Sequence, residues 1–314
     1  MSVYPDLRFD ITDRAYVPDY SIMKHQWIIV CMLIIATRTA VTAPITLHID
    51  NTHSSIQFSV PFFGISEVTG RFERFCGTLV LDEANIGSSR MELFIDASSI
   101  NTGLKVRDRD LVEKYLETKK HPIIYFTSSS IRVSKPKQFE VTGALRLHGI
   151  SKELHIVLTI IGDIINGDKA RELGFKLQPI SLSRTEYSIM EGTTGGGSVG
   201  DTVSISAVIR VRDVTPYRKD IDVRYPEKNA GMTLPFDGSF KSSSGASIKL
   251  VSDSGHYFLA FSDDEWSWFA QATVVGPNLF KLRSFSQLLE LKGGTVAVTM
   301  SDGRTEVFTR EAEH

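Results

Sequence analysis

Apolar and polar positions alternate along most of the chain from Ile45 onward. Ile56, Phe58 and Val60 are separated by Gln57 and Ser59, and Leu145 and Leu147 flank Arg146. Leu154, Ile156, Leu158 and Ile160 recur at every second position, as do Val203, Ile205 and Ala207. A period of two sends neighbouring side chains to opposite faces, so these runs predict strands with one buried face. Further strands are expected at 76–82, 90–96, 122–133 and 174–182. Turn-forming runs such as Glu83-Ala84-Asn85, Ser134-Lys135-Pro136 and Asn166-Gly167-Asp168 separate them. One segment has a different period. At 104–117, Leu104, Leu111, Tyr115 and Leu116 can share a helical face, and His121-Pro122 ends the pattern. About eight strands and one helical segment predict an all-β domain, either a closed antiparallel barrel or a sandwich. Periodicity alone does not choose between them.

The same signal resumes near the C-terminus. Residues 213–235 contain Pro216, Pro226, Pro235 and mixed charges and read as a linker. Strand-like runs follow at Ser247–Val251, Tyr257–Phe261, Trp266–Val275, Leu279–Arg283, Thr295–Met300 and Glu306–Thr309, so 236–314 is expected to be a small β domain. Trp266 and Trp268 would share one face of a strand there, as core or as a contact surface. The expected domains are therefore a barrel or sandwich over 44–212 and this smaller module after it.

At the other end, Met23-Lys24-His25-Gln26 precedes the apolar run Trp27–Ala36 and the small residues of Thr39–Ala43, the order found in a secretory signal peptide. Ten helical residues span about 15 Å, half of a bilayer's hydrocarbon core. Cleavage of 23–43 and a periplasmic location are expected, with a membrane anchor the less favoured alternative. Residues 1–22 carry Asp6, Asp10, Asp13 and Asp19, out of place before an export signal, and read as an upstream extension of a start at Met23. Of two cysteines, Cys31 lies in the signal segment, which leaves Cys76 without an intramolecular partner. A net charge of −2 gives no global field for nucleic acid, and the cluster Arg132, Lys135 and Lys137 reads as a solvated turn.

Several short motifs fall in one order. Asp50-Asn51-Thr52-His53-Ser54 opens a strand, and Gly64-Ile65-Ser66, Val68, Gly70 and Phe72 follow, then Phe75, Gly77 and Asp82. Ser99-Ile100-Asn101-Thr102-Gly103 is followed by Arg107-Asp108 and Leu111. His121-Pro122, Val141-x-Gly143-x-Leu145, His148-Gly149, Gly174-Phe175, Arg184 and Val199-Gly200-Asp201 complete the series. In this order the residues resemble the YceI family of periplasmic polyisoprenoid-binding proteins, over about 45–211. The resemblance implies an eight-stranded antiparallel, lipocalin-like barrel with a long apolar tunnel for an isoprenoid tail, either a polyprenyl chain or an isoprenoid quinone. Three positions depart from the family pattern: Ser183 replaces a usual Asn, Asp110 a frequent His, and Ser188 a frequent Gly.

An isoprenoid tail has no hydrogen-bonding capacity, so its affinity must come from apolar burial, at about 0.8 kcal/mol per methylene-sized group. The candidate lining comprises Phe58, Val60, Phe62, Phe63, Phe94, Phe126, Leu145, Leu158 and Phe175, with Ile56, Ile124, Leu147 and Ile156 on the same inward-facing set. Arg107 and Arg184 are candidate head-group partners, because a guanidinium offers several fixed donors, with His53 as a neighbour. Arg107-Asp108 has an alternative role in holding the helix on the barrel. No cofactor or metal is expected: His48, His53, His121, His148, His155 and His256 fit no metal-ligand spacing. His53 and Ser54, as strand neighbours, should point to opposite faces, which argues against a triad, and no enzymatic activity is expected. The rival expectation is a structural or partner-binding β protein with a filled barrel.

Overall fold

The computed structural model describes residues 43–190, 198–215, 236–264, 267–285, 287–300 and 303–311. The expected signal segment and upstream extension, most of the expected linker, Trp266 and the glycines of 192–197 lie outside the described residues.

The first domain comprises β1 (Ile45–Ile49), β2 (Ser55–Phe62), β3 (Ser66–Phe72), β4 (Phe75–Leu81), β5 (Arg90–Asp96) and β6 (Ile100–Asn101). After the short helix α1 (Lys105–Asp110) come β7 (Ile123–Lys135), β8 (Gln138–Leu147), β9 (Ile150–Ile165), β10 (Arg171–Leu177), β11 (Ile180–Ser183) and β12 (Thr202–Asp213). Strands β1, β4, β5, β7, β8, β9, β10 and β12 pair in that order, and β12 pairs back to β1. The ring of eight is closed and antiparallel, which decides between barrel and sandwich.

The short strands extend this ring. β2 pairs with β12 beyond β1, β3 pairs with β2, β6 with β3, and β11 with β12. The pairs β1–β2, β3–β4 and β5–β6 are thus three long strands, each interrupted once at the same level. The sequence specifies those interruptions. Asp50 caps the turn Asn51–His53 by accepting from the Thr52 amide. Asn51 then reaches across: its amide donates to the Glu73 carbonyl at 3.1 Å, and its side-chain oxygen accepts from the Phe75 amide at 2.8 Å. The Ser99 hydroxyl accepts from the Arg74 amide at 3.1 Å, and the buried Asp96 carboxylate takes the Arg74 guanidinium at 2.8 Å. Backbone groups at the three breaks are thus satisfied partly by these side chains and partly by backbone bonds such as Glu73 N–H to the Ser99 carbonyl and Asp96 N–H to the Arg74 carbonyl, as buried polar groups must be.

The second domain is a closed up-and-down barrel. Its strands are β13 (Gly238–Ser242), β14 (Ser247–Asp253), β15 (His256–Ser262), β16 (Ser267–Gly276), β17 (Leu279–Leu282), β18 (Leu288–Lys292), β19 (Thr295–Thr299) and β20 (Thr305–Arg310). Phe240, Leu250, Leu259, Phe280, Leu289, Val296 and Phe308 fill its interior and are buried almost completely. Trp268 is half-buried, stacked on Phe261 with ring centres 5.1 Å apart.

Both barrels lie in one compact unit, Ala43–His314. An apolar cluster joins Cys76, Phe94 and Ile123 of the first to Val251, Phe258, Ala260 and Phe269 of the second. The Phe94 ring stacks on Tyr125 at 4.6 Å and meets Phe258 at 5.0 Å. Around this cluster, Arg146 pairs with Asp253 at 3.2 Å. Burial in the cluster pushes the Cys76 thiol well above the ordinary cysteine range. In a Cys31→Ser background, a maleimide at pH 7–8 should leave Cys76 unmodified in the native protein and label it fully in denaturant. Rapid native labelling would show that the two barrels separate in solution.

Candidate functional site

Inside the first barrel is a cavity of about 580 Å³, within the usual range for a small-molecule site. β12 contributes every second residue to it: Val203, Ile205, Ala207, Ile209 and Val211. The opposite wall comes from Met91, Leu93 and Ile95 of β5, Ile124 and Phe126 of β7, and Leu154, Ile156 and Leu158 of β9. The helical segment supplies Leu104, Val106, Leu111, Tyr115 and Leu116. Leu104 and Val106 are also exposed, so this is where the cavity meets solvent.

Two motif glycines make room for lining aromatics. Gly70 pairs with Phe58 across β2 and β3, and a Cβ there would come within 2.4 Å of the phenyl ring. Gly143 faces Phe126, where a Cβ would meet the ring at 2.6 Å. At the Gly174-Phe175 motif the β9–β10 register shifts, a bulge that re-aims a side chain, and Phe175 lines the cavity.

Of the residues singled out from the sequence, the structure gathers Phe58, Val60, Phe62, Phe126, Leu145, Leu158 and Phe175 on this wall, with Arg107 and Arg184 at its edge. Three lie elsewhere. Phe63 is exposed at the β2–β3 turn, its ring against Phe62. His53 is exposed on the turn between β1 and β2, with Nδ1 2.9 Å from the Asp50 carboxylate. Phe94 points out of the first barrel into the cluster with Phe258, while its neighbours Leu93 and Ile95 face the cavity. The reason is that β5 is covered on both faces, so alternation no longer marks the inward side.

The two arginines are already engaged. Arg184 is buried, and its guanidinium donates to the carbonyls of Gly200, Ile189, Met190 and Val199 at 2.9–3.4 Å. It ties both ends of the 189–200 segment to the barrel. Beside it, Ser183 and Thr185 donate to Asp201, and these hydrogen bonds hold the Asp201 carboxyl below the usual range. Ser188 sits in left-handed backbone at φ 52°, a conformation that glycine adopts without steric cost. Arg107 donates from Nε to the Thr102 hydroxyl at 2.7 Å and from its terminal nitrogen to the Thr102 carbonyl at 2.8 Å. The Thr102 hydroxyl in turn donates to Asp108. This is the helix-holding arrangement. Arg184→Ala should accordingly destabilise the protein by roughly 1.5–3 kcal/mol, the scale of a hydrogen bond to a charged group. Urea denaturation checks this, and an unchanged midpoint would contradict the anchoring role.

The sequence missed a cluster just outside the cavity, where Glu117, His121 and His148 converge. Their positions give no recognisable spacing because a hairpin brings in the third residue. Burial, and then the neighbouring His148, keep the His121 pKa below that of an ordinary histidine.

Comparison with known proteins agrees with the motif order. A UPF0312 protein of Shewanella denitrificans is 34% identical over 112 residues, covering 35% of this chain and 59% of the relative. The chain therefore spans a little over half the length of that relative. Protein YceI of Escherichia coli is 27% identical over 147 residues, 46% of this chain and 76% of the relative. Among solved structures, Burkholderia cenocepacia BcnA superposes with a TM-score of 0.46 at 21% identity, covering 52% of this chain and 98% of that one. A polyisoprenoid binding domain from Saccharophagus degradans gives 0.42 at 19% identity, over 53% and 98%. The model of the YceI-like domain matches residues 47–211, more than half of the chain, and the chain belongs to the YceI family.

Proposed function

We propose that the first barrel binds a long apolar isoprenoid lipid, a polyprenyl chain or an isoprenoid quinone, and stores or carries it in the periplasm. The observation that supports this reading is the 580 Å³ cavity, walled by aliphatic and aromatic side chains. A ligand there would gain about 25 cal/mol for each Å² of apolar surface removed from water. The lining offers little with which to orient a polar substrate, since Arg184 is committed to backbone carbonyls and Arg107 to Thr102. A lipid in the membrane is the natural source of such a ligand, and the exposed Leu104 and Val106 form an apolar entrance. The filled-barrel reading suits the second domain, whose interior is occupied by its own side chains.

The test is native mass spectrometry of the full chain, expressed with its leader and purified from the cell envelope. The expected result is a mature chain beginning between residues 40 and 46 with one bound lipid that extracts into organic solvent. A ligand-free protein, or one carrying a water-soluble anion, would overturn the lipid reading. A chain retaining Trp27–Ile35 would replace cleavage with an anchor.

A further inference from the structure

Three segments meet at the cluster outside the cavity. Glu117 follows the helical segment, His121 precedes Pro122 and β7, and His148 sits in the β8–β9 hairpin. One donor atom from each residue lies within 4.8 Å of the other two. The imidazoles of His121 and His148 stand edge to face with centres 4.8 Å apart. That approach depends on Gly149, where a Cβ would come within 2.7 Å of the His121 ring. Glu117 and His148 also hold left-handed backbone, at φ 43° and 52°, which such residues rarely adopt.

The hydrogen bonds set the chemistry. His148 Nδ1 lies 2.9 Å from the Tyr187 carbonyl, which can only accept, so Nδ1 carries a hydrogen. In the neutral ring Nε2 is then a lone pair, and it faces a Glu117 carboxylate oxygen at 3.2 Å. Two acceptors that close require a cation between them, either a proton or a metal ion. A second imidazole at the same point provides a third donor atom. A backbone carbonyl on the far nitrogen is the usual support for a metal-bound histidine.

We propose that Glu117, His121 and His148 bind a divalent transition-metal ion of the Zn²⁺ type. Two imidazoles and one carboxylate, with a fourth position open, form a donor set suited to Zn²⁺ and to its neighbours Co²⁺, Ni²⁺ and Cu²⁺. In a tetrahedral site with ligand distances near 2.1 Å, donor atoms lie about 3.4 Å apart. Glu117 and His148 already have that spacing at 3.2 Å, and the third donor atom, within 4.8 Å of both, needs to close by at most about 1.4 Å to reach it. Lys120, exposed and paired with the other Glu117 oxygen, Oε1, competes with the ion for the carboxylate charge. The ion joins the end of the helical segment to the β8–β9 hairpin, beside the cavity-lining Leu116, Leu147 and Tyr187.

Titration of the full-length, tag-free protein with Zn²⁺ by calorimetry, and with Co²⁺ by visible absorption, tests the site. One equivalent should bind, Co²⁺ should give the intense bands of tetrahedral coordination, and Zn²⁺ should raise the melting temperature. His121→Ala, His148→Ala and Glu117→Gln should each weaken binding by more than about a hundredfold, beyond what loss of a supporting partner commonly costs. His155→Ala should not. Lys120→Ala, which removes the competing cation without touching a ligand, should leave affinity equal or tighter. The proposal fails if no equivalent binds at 100 μM Zn²⁺, on the order of ten times the loosest Kd a dedicated micromolar site would show. It also fails if folded ligand variants bind as the parent does, or if Lys120→Ala weakens binding.

Discussion

Ala207→Trp should remove lipid binding while leaving the first barrel folded. Ala207 lies on β12 between Ile205 and Ile209, and all three line the cavity. An indole in place of that methyl projects into existing space, so overpacking does not oppose it as it would in a filled core. The lipid loses the volume instead. Displacing about five carbon groups at ~0.8 kcal/mol each removes roughly 4 kcal/mol, which is about a thousandfold in Kd. Phe58→Arg should have an effect at least as large, because a charge beside an alkyl chain must be desolvated at a cost of several kcal/mol. Arg184→Ala should change the Kd far less than either, since its donors face carbonyls of its own chain. Lipid-transfer or fluorescence-competition titration gives the order. Normal binding by a folded Ala207→Trp protein, together with loss on Arg184→Ala, would place the ligand outside the cavity and make it an anion.

The all-β class, the strand runs and most of the cavity wall were legible because they depend on alternation with one wet face. β12 is the clearest case: Val203, Ile205 and Ala207 face the cavity and the serines between them do not. Closure was not legible in the periodicity, because the pairing of β12 with β1 joins residues more than 160 positions apart; the motif order implied the barrel, and the closed ring of strands bears it out. The two strands missed in the second barrel, β13 and β18, are five residues each and carry only one or two fully buried side chains. Arg184 illustrates a different limit. The sequence presents a guanidinium in a family motif, and only the fold shows four carbonyls around it. The His121–His148 pair is invisible for a similar reason, since spacing rules describe ligands on one element and these lie on two.

Phe94→Ala carries the second large effect and separates packing from ligand binding. From the sequence, Phe94 belongs to the cavity lining; in the structure it is 1% exposed between Tyr125 and Phe258. Truncating a buried phenylalanine costs about 3–5 kcal/mol, as transfer free energy plus the void left behind. At 2–4 °C per kcal/mol for chains of this size, the melting temperature should fall by roughly 6–20 °C. The phenyl ring touches Tyr125 of the first barrel and Phe258 of the second, so its removal should also loosen their association. Cys76, in the same cluster, should then become open to maleimide under native conditions. Lipid affinity should stay within about threefold of the parent, because Leu93 and Ile95, not Phe94, face the ligand. Calorimetry, thiol labelling and lipid titration on one preparation give the three readings. If lipid binding collapses while melting temperature and Cys76 protection are unchanged, Phe94 is a lining residue and the aromatic contact does not hold the barrels together.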